Sequence, residues 1–138
     1  MCFEIYICSQ GPLKTSEFIP NDTLLYLEEP SDRELKGLRD RFTCQHIYYV
    51  GADTGCSCGF AYNESDPSDI ESQLALIELI KMASLEGRLE LFCCWNGATN
   101  ASVEFIHYIN PDTLGAENLI EINENELLIF ERPTNYPV

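Results

Sequence analysis

Positive charge is scarce in this chain of 138 residues: 8 lysines and arginines stand against 23 aspartates and glutamates, a formal net charge of −15. A field of that sign repels phosphate backbones, anionic lipids and acidic substrates, and it attracts a basic partner or a cation. The imbalance deepens along the chain, with 5 basic and 9 acidic residues over 1–63 but 3 and 14 over 64–138. Long apolar runs are missing as well, since no stretch approaches the roughly 18 residues of a membrane span. The segment Met1 to Cys8 alternates like a strand and lacks the basic flank of a signal peptide. These absences predict a cytoplasmic protein with neither a membrane nor a nucleic-acid partner. No phosphate loop, dinucleotide fingerprint, zinc-protease helix or nucleophile elbow is present, so no standard catalytic motif offers a starting point.

Cysteine is plentiful, and its seven copies (Cys2, Cys8, Cys44, Cys56, Cys58, Cys93 and Cys94) form an odd set. An odd count without a secretion signal argues against a disulfide framework and predicts reduced thiols. The three Asn-x-Ser/Thr sequons at Asn21, Asn63 and Asn100 then carry no weight, because glycosylation needs the secretory route. Apolar residues make up 45% of the chain, enough to build a core, and the length suits one domain over 1–138.

The pattern of elements is mixed. Phe3, Ile5 and Ile7 face one way along a first strand, with Tyr6 and Cys8 facing the other. Thr23 to Glu28 reads as a second strand. Ser31 and Glu34 make a capping box for a short helix whose buried stripe is Leu35, Leu38 and Phe42. Gln45 to Val50 is a third strand, and the glycine-punctuated stretch 51–59 is a loop. Asp66 and Pro67 open a long helix that stops at Gly87, with Ile70, Leu76, Ile77, Leu79, Ile80 and Ala83 on its apolar arc. Leu89 to Trp95 and Val103 to Ile109 are further strands, and 119–122 with 127–131 reads as a closing hairpin. The expected fold is α+β: a single mixed sheet with two main helices packed on it. Two strand–helix–strand units, over 23–50 and 45–95, predict parallel pairing in the middle and antiparallel strands at the C-terminus.

That topology brings the loop after Val50 and the residues after Cys94 to one edge, beyond the carboxyl ends of parallel strands, where open sheets tend to bind ligands. Gly55-Cys56-Ser57-Cys58-Gly59-Phe60 is the most unusual run in the chain. Two thiols two positions apart between glycines can turn toward one point, and with Cys94 and His46 they would suit zinc, copper(I) or an iron–sulfur cluster. The Cys-x-Cys spacing is not that of a zinc ribbon, and a tight loop with small packed cysteines is the preferred explanation. A thiol enzyme would need Cys56 or Cys58 beside His46 or His107, with Asp53 as orienting group; strand histidines more often pack and hydrogen-bond. Trp95, Tyr48, Tyr49, Tyr62 and Tyr108 suit a pocket lining or an ordinary core.

The order Tyr48-Tyr49-Val50-Gly51, then Gly55 to Phe60 as above, then Cys94-Trp95-Asn96-Gly97 resembles a group of small bacterial proteins over most of the chain. In that group a Gly-Cys-x-Cys-Gly-Phe run follows a tyrosine-rich strand, and the resemblance implies no particular activity. A weaker likeness to A-type iron–sulfur carriers rests on the Cys-x-Cys motif alone; here that motif is mid-chain, with Ser57 as spacer and no third cysteine at the carrier's distance upstream. The sequence-level expectation is a non-enzymatic binding protein with no assigned catalytic residue, whose ligand or partner edge is Asp53, Cys56, Cys58, Phe60, Cys94, Trp95 and Asn96. The alternatives are a transition-metal site at Cys56 and Cys58, and an acidic inhibitor or immunity-type protein for a basic partner.

Overall fold

The computed structural model describes residues 3–60 and 67–133; Cys2, Tyr62 and the helix cap expected at Asp66 lie outside them. Six strands form one mixed sheet: β1 (Phe3–Ser9), β2 (Leu25–Glu28), β3 (His46–Ala52), β4 (Leu89–Trp95), β5 (Phe105–Ile109) and β6 (Glu126–Phe130). Their order across the sheet is β2-β3-β1-β4-β6-β5. Two α-helices accompany them, α1 (Asp32–Leu38) and α2 (Pro67–Ala83), so the α+β class holds.

Alternation along the strands sorts the core into two layers. Ile5, Ile7, Val50, Leu91, Leu128 and Phe130 turn to the side covered by Leu76, Ile77 and Ile80 of α2. Tyr6, Cys8, Ile47, Phe92, Cys94, Leu127 and Ile129 turn to the other side, under Leu38 and Phe42. Helix α1 is fixed as its sequence requires: Ser31 accepts from the Glu34 amide while the Glu34 carboxylate returns to the Ser31 N–H. Helix α2 keeps Glu71, Glu78 and Met82 in solvent and passes through a 3-10 turn, Ser84–Glu86, before Gly87.

Strand pairing departs from the sequence-based expectation in two places. The segment 23–50 does not form a parallel unit, because β2 lies directly beside β3 and antiparallel to it, with Leu27 opposite Val50. The second unit keeps its direction but not its adjacency. Strands β3 and β4 are each antiparallel to β1 and therefore run the same way, but β1 is inserted between them. A strand as apolar as β1 on both faces belongs in the middle of a sheet. The expected C-terminal hairpin is also absent: residues 119–122 are not a strand, and β5 pairs with β6 in parallel. The backbone carbonyl of Ile120 instead accepts from the buried Gln73 side chain of α2, which also donates to the Phe60 carbonyl.

The expectation of thiols throughout is corrected at one pair. Cys8 and Cys44 are disulfide-bonded, with Cα atoms 5.8 Å apart. The β1–β3 register sets Cys8 opposite Ile47, which brings the chain just before β3 alongside it. An odd count only requires that one cysteine be left over; it does not prevent two others from meeting. Among the described residues no helix is long and apolar enough to cross a membrane.

Candidate functional site

The glycine–cysteine loop begins where β3 ends. Ala52 and Gly55 close a tight turn, with Gly55 N–H donating to the Ala52 carbonyl at 3.1 Å and Gly55 at φ 81°. That left-handed conformation favours glycine. Ala52 N–H in turn donates to the Cys56 carbonyl at 2.9 Å, and the Tyr26 hydroxyl donates to the Gly55 carbonyl at 2.6 Å. Gly51 is required by that same tyrosine, since a Cβ there would sit 2.1 Å from the Tyr26 ring.

Ser57, the residue between the two cysteines, anchors the loop. Its hydroxyl accepts from Ile5 N–H at 2.9 Å and donates to the Val50 carbonyl at 2.5 Å. Ile5 and Val50 face each other across β1 and β3, so the hydroxyl bridges polar groups of one cross-strand pair inside the core. Its own N–H donates to the Tyr49 hydroxyl at 3.1 Å. Ser57→Ala is expected to destabilise the protein by about 1–3 kcal/mol, the cost of stranding buried backbone groups. A denaturant midpoint equal to wild type would show that the bridge contributes nothing.

The predicted site residues do not share one surface. Phe60 and Cys94 are fully buried, at 1% and 0% exposure, and they lie in opposite core layers. Cys93, not Cys94, faces the loop: with Phe3, Ile5, Ser57, Cys58, Phe60 and Ile122 it lines a cavity of about 70 Å³. Trp95 stacks on Phe3, ring centroids 4.1 Å apart. Asn96 is exposed in the following turn, where Gly97 N–H donates to Glu4 Oε1 at 2.8 Å. Glu4 Oε2 accepts from the Tyr6 hydroxyl at 2.6 Å, and that hydroxyl also meets Glu34 at the start of α1. Asp53 is partly buried and its Oδ1 has no hydrogen-bond partner. Cys56 contacts Thr54, Oγ1 to Sγ 3.5 Å.

The histidines stand elsewhere. His46 pairs with Ser9 at the opposite end of β3, six residues or roughly 20 Å from Ala52. His107 is on β5, and its Nε2 lies 3.2 Å from the Glu126 carboxylate. At roughly 20 Å His46 does not reach the loop thiols as a base or a ligand. Burial, followed by the Cys94, Glu124, Glu126 and Cys58 charges, pushes the Cys93 thiol up to about 12. Burial followed by Glu4 does the same for Cys94. Both therefore stay protonated at neutral pH, unlike an activated nucleophilic thiolate. Among the described residues no three His, Cys, Asp or Glu side chains gather as a metal ion requires.

A different surface emerges at the far edge. Strand β5 is exposed along most of its length, with Phe105 at 60%, Ile106 at 54% and Tyr108 at 69% exposure. Its register with β6 places Ile106 and Tyr108 on the α1 side beside Leu127 and Ile129, and Phe105, His107 and Ile109 on the α2 side. The apolar layer thus continues one strand past the cover of a helix only 7 residues long. Arg88 extends over the Tyr108 ring, 5.8 Å from its centre. On the α2 side a cleft of about 460 Å³ opens between β5 and the 114–123 connection, with Glu121 and Glu126 in its wall. Sequence reading missed this edge because a strand apolar on both faces looks like an interior strand. The acidic excess of the C-terminal half is concentrated around it: residues 89–131 contain eight acids and no lysine or arginine, with Arg88 and Arg132 flanking them.

No protein-family model matches the chain, and neither a characterised protein nor a solved structure matches it.

Proposed function

We propose that this protein is a non-catalytic binding module for a basic protein, and that the β5 edge, rather than the 51–60 loop, is its docking face. The observation that carries this is the coincidence of three exposed large apolar side chains on one five-residue edge strand with Glu121, Glu126 and Glu131 in the clefts beside it, where Arg88 and Arg132 are the neighbouring cations. Contiguous exposed apolar area marks interaction surfaces, and an excess of one charge sign favours partners of the other. In the loop, Ser57, Gly59 and Phe60 are buried, and the Ser57 hydroxyl and the Gly55 carbonyl are hydrogen-bonded to β1, β2 and β3.

The test compares two baits in the same lysate, wild type and the variant Glu117→Gln/Glu121→Gln/Glu131→Gln. All three positions are exposed. Proteins held by the wild type should be predominantly basic, should elute with salt, and should be depleted on the variant. A retained set with no bias in charge, or one identical on both baits, would overturn the reading.

A further inference from the structure

We infer that β5 takes its partner by strand addition, and that the occupant is an extended segment alternating apolar with basic side chains. This rests on the binding reading above and specifies its mode. An edge strand presents a row of backbone donors and acceptors that an added strand can pair, and sheet proteins normally protect such edges. The two edges of this sheet differ in that respect. Beyond β2 the segment before it folds back, and Ser16 N–H donates to the Leu27 carbonyl at 3.1 Å. Strand β5 is the other edge, and its residues Phe105–Ile109 include no proline and no lysine, the usual guards.

The two faces of the edge specify different side chains. On the α1 side an incoming strand meets Ile106 and Tyr108, with the Arg88 guanidinium already over the tyrosine ring. That face accepts apolar groups and disfavours a second cation. On the α2 side it meets Phe105 and His107, whose Nε2 lies 3.2 Å from the buried Glu126, and then the cleft with the exposed Glu121 in its wall. A lysine or arginine can lay its stem on the phenylalanine there and carry its charge toward Glu121. Successive residues of a strand point to opposite faces, so the complementary sequence has period two. A second copy of this chain fits poorly, since each copy carries a net charge of −15 and brings the same acids to the contact.

The probe is a short, end-capped, dye-labelled peptide alternating valine and lysine, titrated onto the full chain by fluorescence anisotropy at low and high salt. Two companions separate the contributions: one with glutamate for lysine, and one with the lysines kept but alternate backbone nitrogens methylated. The valine–lysine peptide should bind at least about tenfold more tightly than either companion and should weaken with salt. Ile106→Lys and Tyr108→Lys, both at exposed positions, should each remove that preference, whereas Met82→Lys on α2 should not. If the methylated peptide binds as well as its parent and the glutamate peptide does not, strand addition is overturned while the basic-partner reading stands. If no peptide binds although the charge-dependent capture described above succeeds, the mode is again what fails. Concentration-dependent dimerisation abolished by Ile106→Lys would assign the edge to a second copy and overturn the proposed occupant.

Discussion

Ile80→Ala is expected to lower the unfolding free energy by about 2–5 kcal/mol, the range for large-to-small changes at fully buried sites. Ile80 has 0% exposure and Ile77 2%, both against the β1, β3 and β4 side chains of the α2 layer. Removing either side chain deletes transfer energy and leaves a void in a layer that rigid strands cannot close. Ile77→Ala should therefore behave like Ile80→Ala. Glu78 lies between them in sequence but in solvent, and Glu78→Ala should change stability by no more than about 0.5 kcal/mol. Denaturant midpoints at unchanged slope measure the contrast. Equal losses for all three variants would mean that α2 does not present this face to the sheet.

A comparably large effect is expected from alkali. Burial raises the pKa of Tyr6, reinforced by its hydrogen bonds to Glu34 and Glu4, and burial also raises Tyr26 and Tyr49. Cys93 and Cys94 are both pushed up to about 12 by burial first. In each case the folded state holds the proton beyond the pH at which the unfolded chain releases it. The stability these neutral groups contribute is complete below the unfolded values, near 8.5 for a thiol and 10 for a phenol, and is lost as pH rises through the interval to the folded ones. Each group steepens the loss by about 1.4 kcal/mol per pH unit within its interval. Since a domain commonly holds only about 5–15 kcal/mol in total, ionisation of these buried groups draws on a sizeable part of it. Chemical denaturation at rising pH should show a steep decline beginning near pH 9, and Cys93→Ala should make it shallower. A profile flat through the thiol range would contradict the burial of both cysteines.

Much of this architecture was legible from local chemistry. The capping box at Ser31 and Glu34, the apolar arc of α2 and the limits of β4 follow from spacing alone, because each depends on residues within one turn or one strand. The order of the strands did not. Helix α1 between β2 and β3 suggested a parallel crossover, but its 7 residues connect strands that lie side by side and antiparallel. That β1 separates β3 from β4 depends on which apolar strand ends up central, and both faces of β1 fit several positions. The loop was found for the wrong reason. Cys56 and Cys58 drew attention, whereas the anchoring group is the serine between them, whose partners Ile5 and Val50 are 52 and 7 residues away. Cys93 and Cys94 exchange roles for a similar reason: adjacent residues on a strand face opposite sides, so a register one residue different moves the thiol to the other layer.

The parallel pairing of β5 with β6 also orders events during synthesis. Strand β5 ends at Ile109, and among the described residues the strand it pairs with begins at Glu126, with β6 itself the link to β4. A chain growing from the ribosome therefore releases Phe105, Ile106 and Tyr108 before the strand that joins them to the sheet exists. The first four strands can find one another while the fifth waits in solution with its backbone groups unpaired on both sides. Transiently exposed apolar strands are where nascent chains aggregate or recruit chaperones. The edge proposed above as the docking face is thus also the segment of the described fold that is last to be secured.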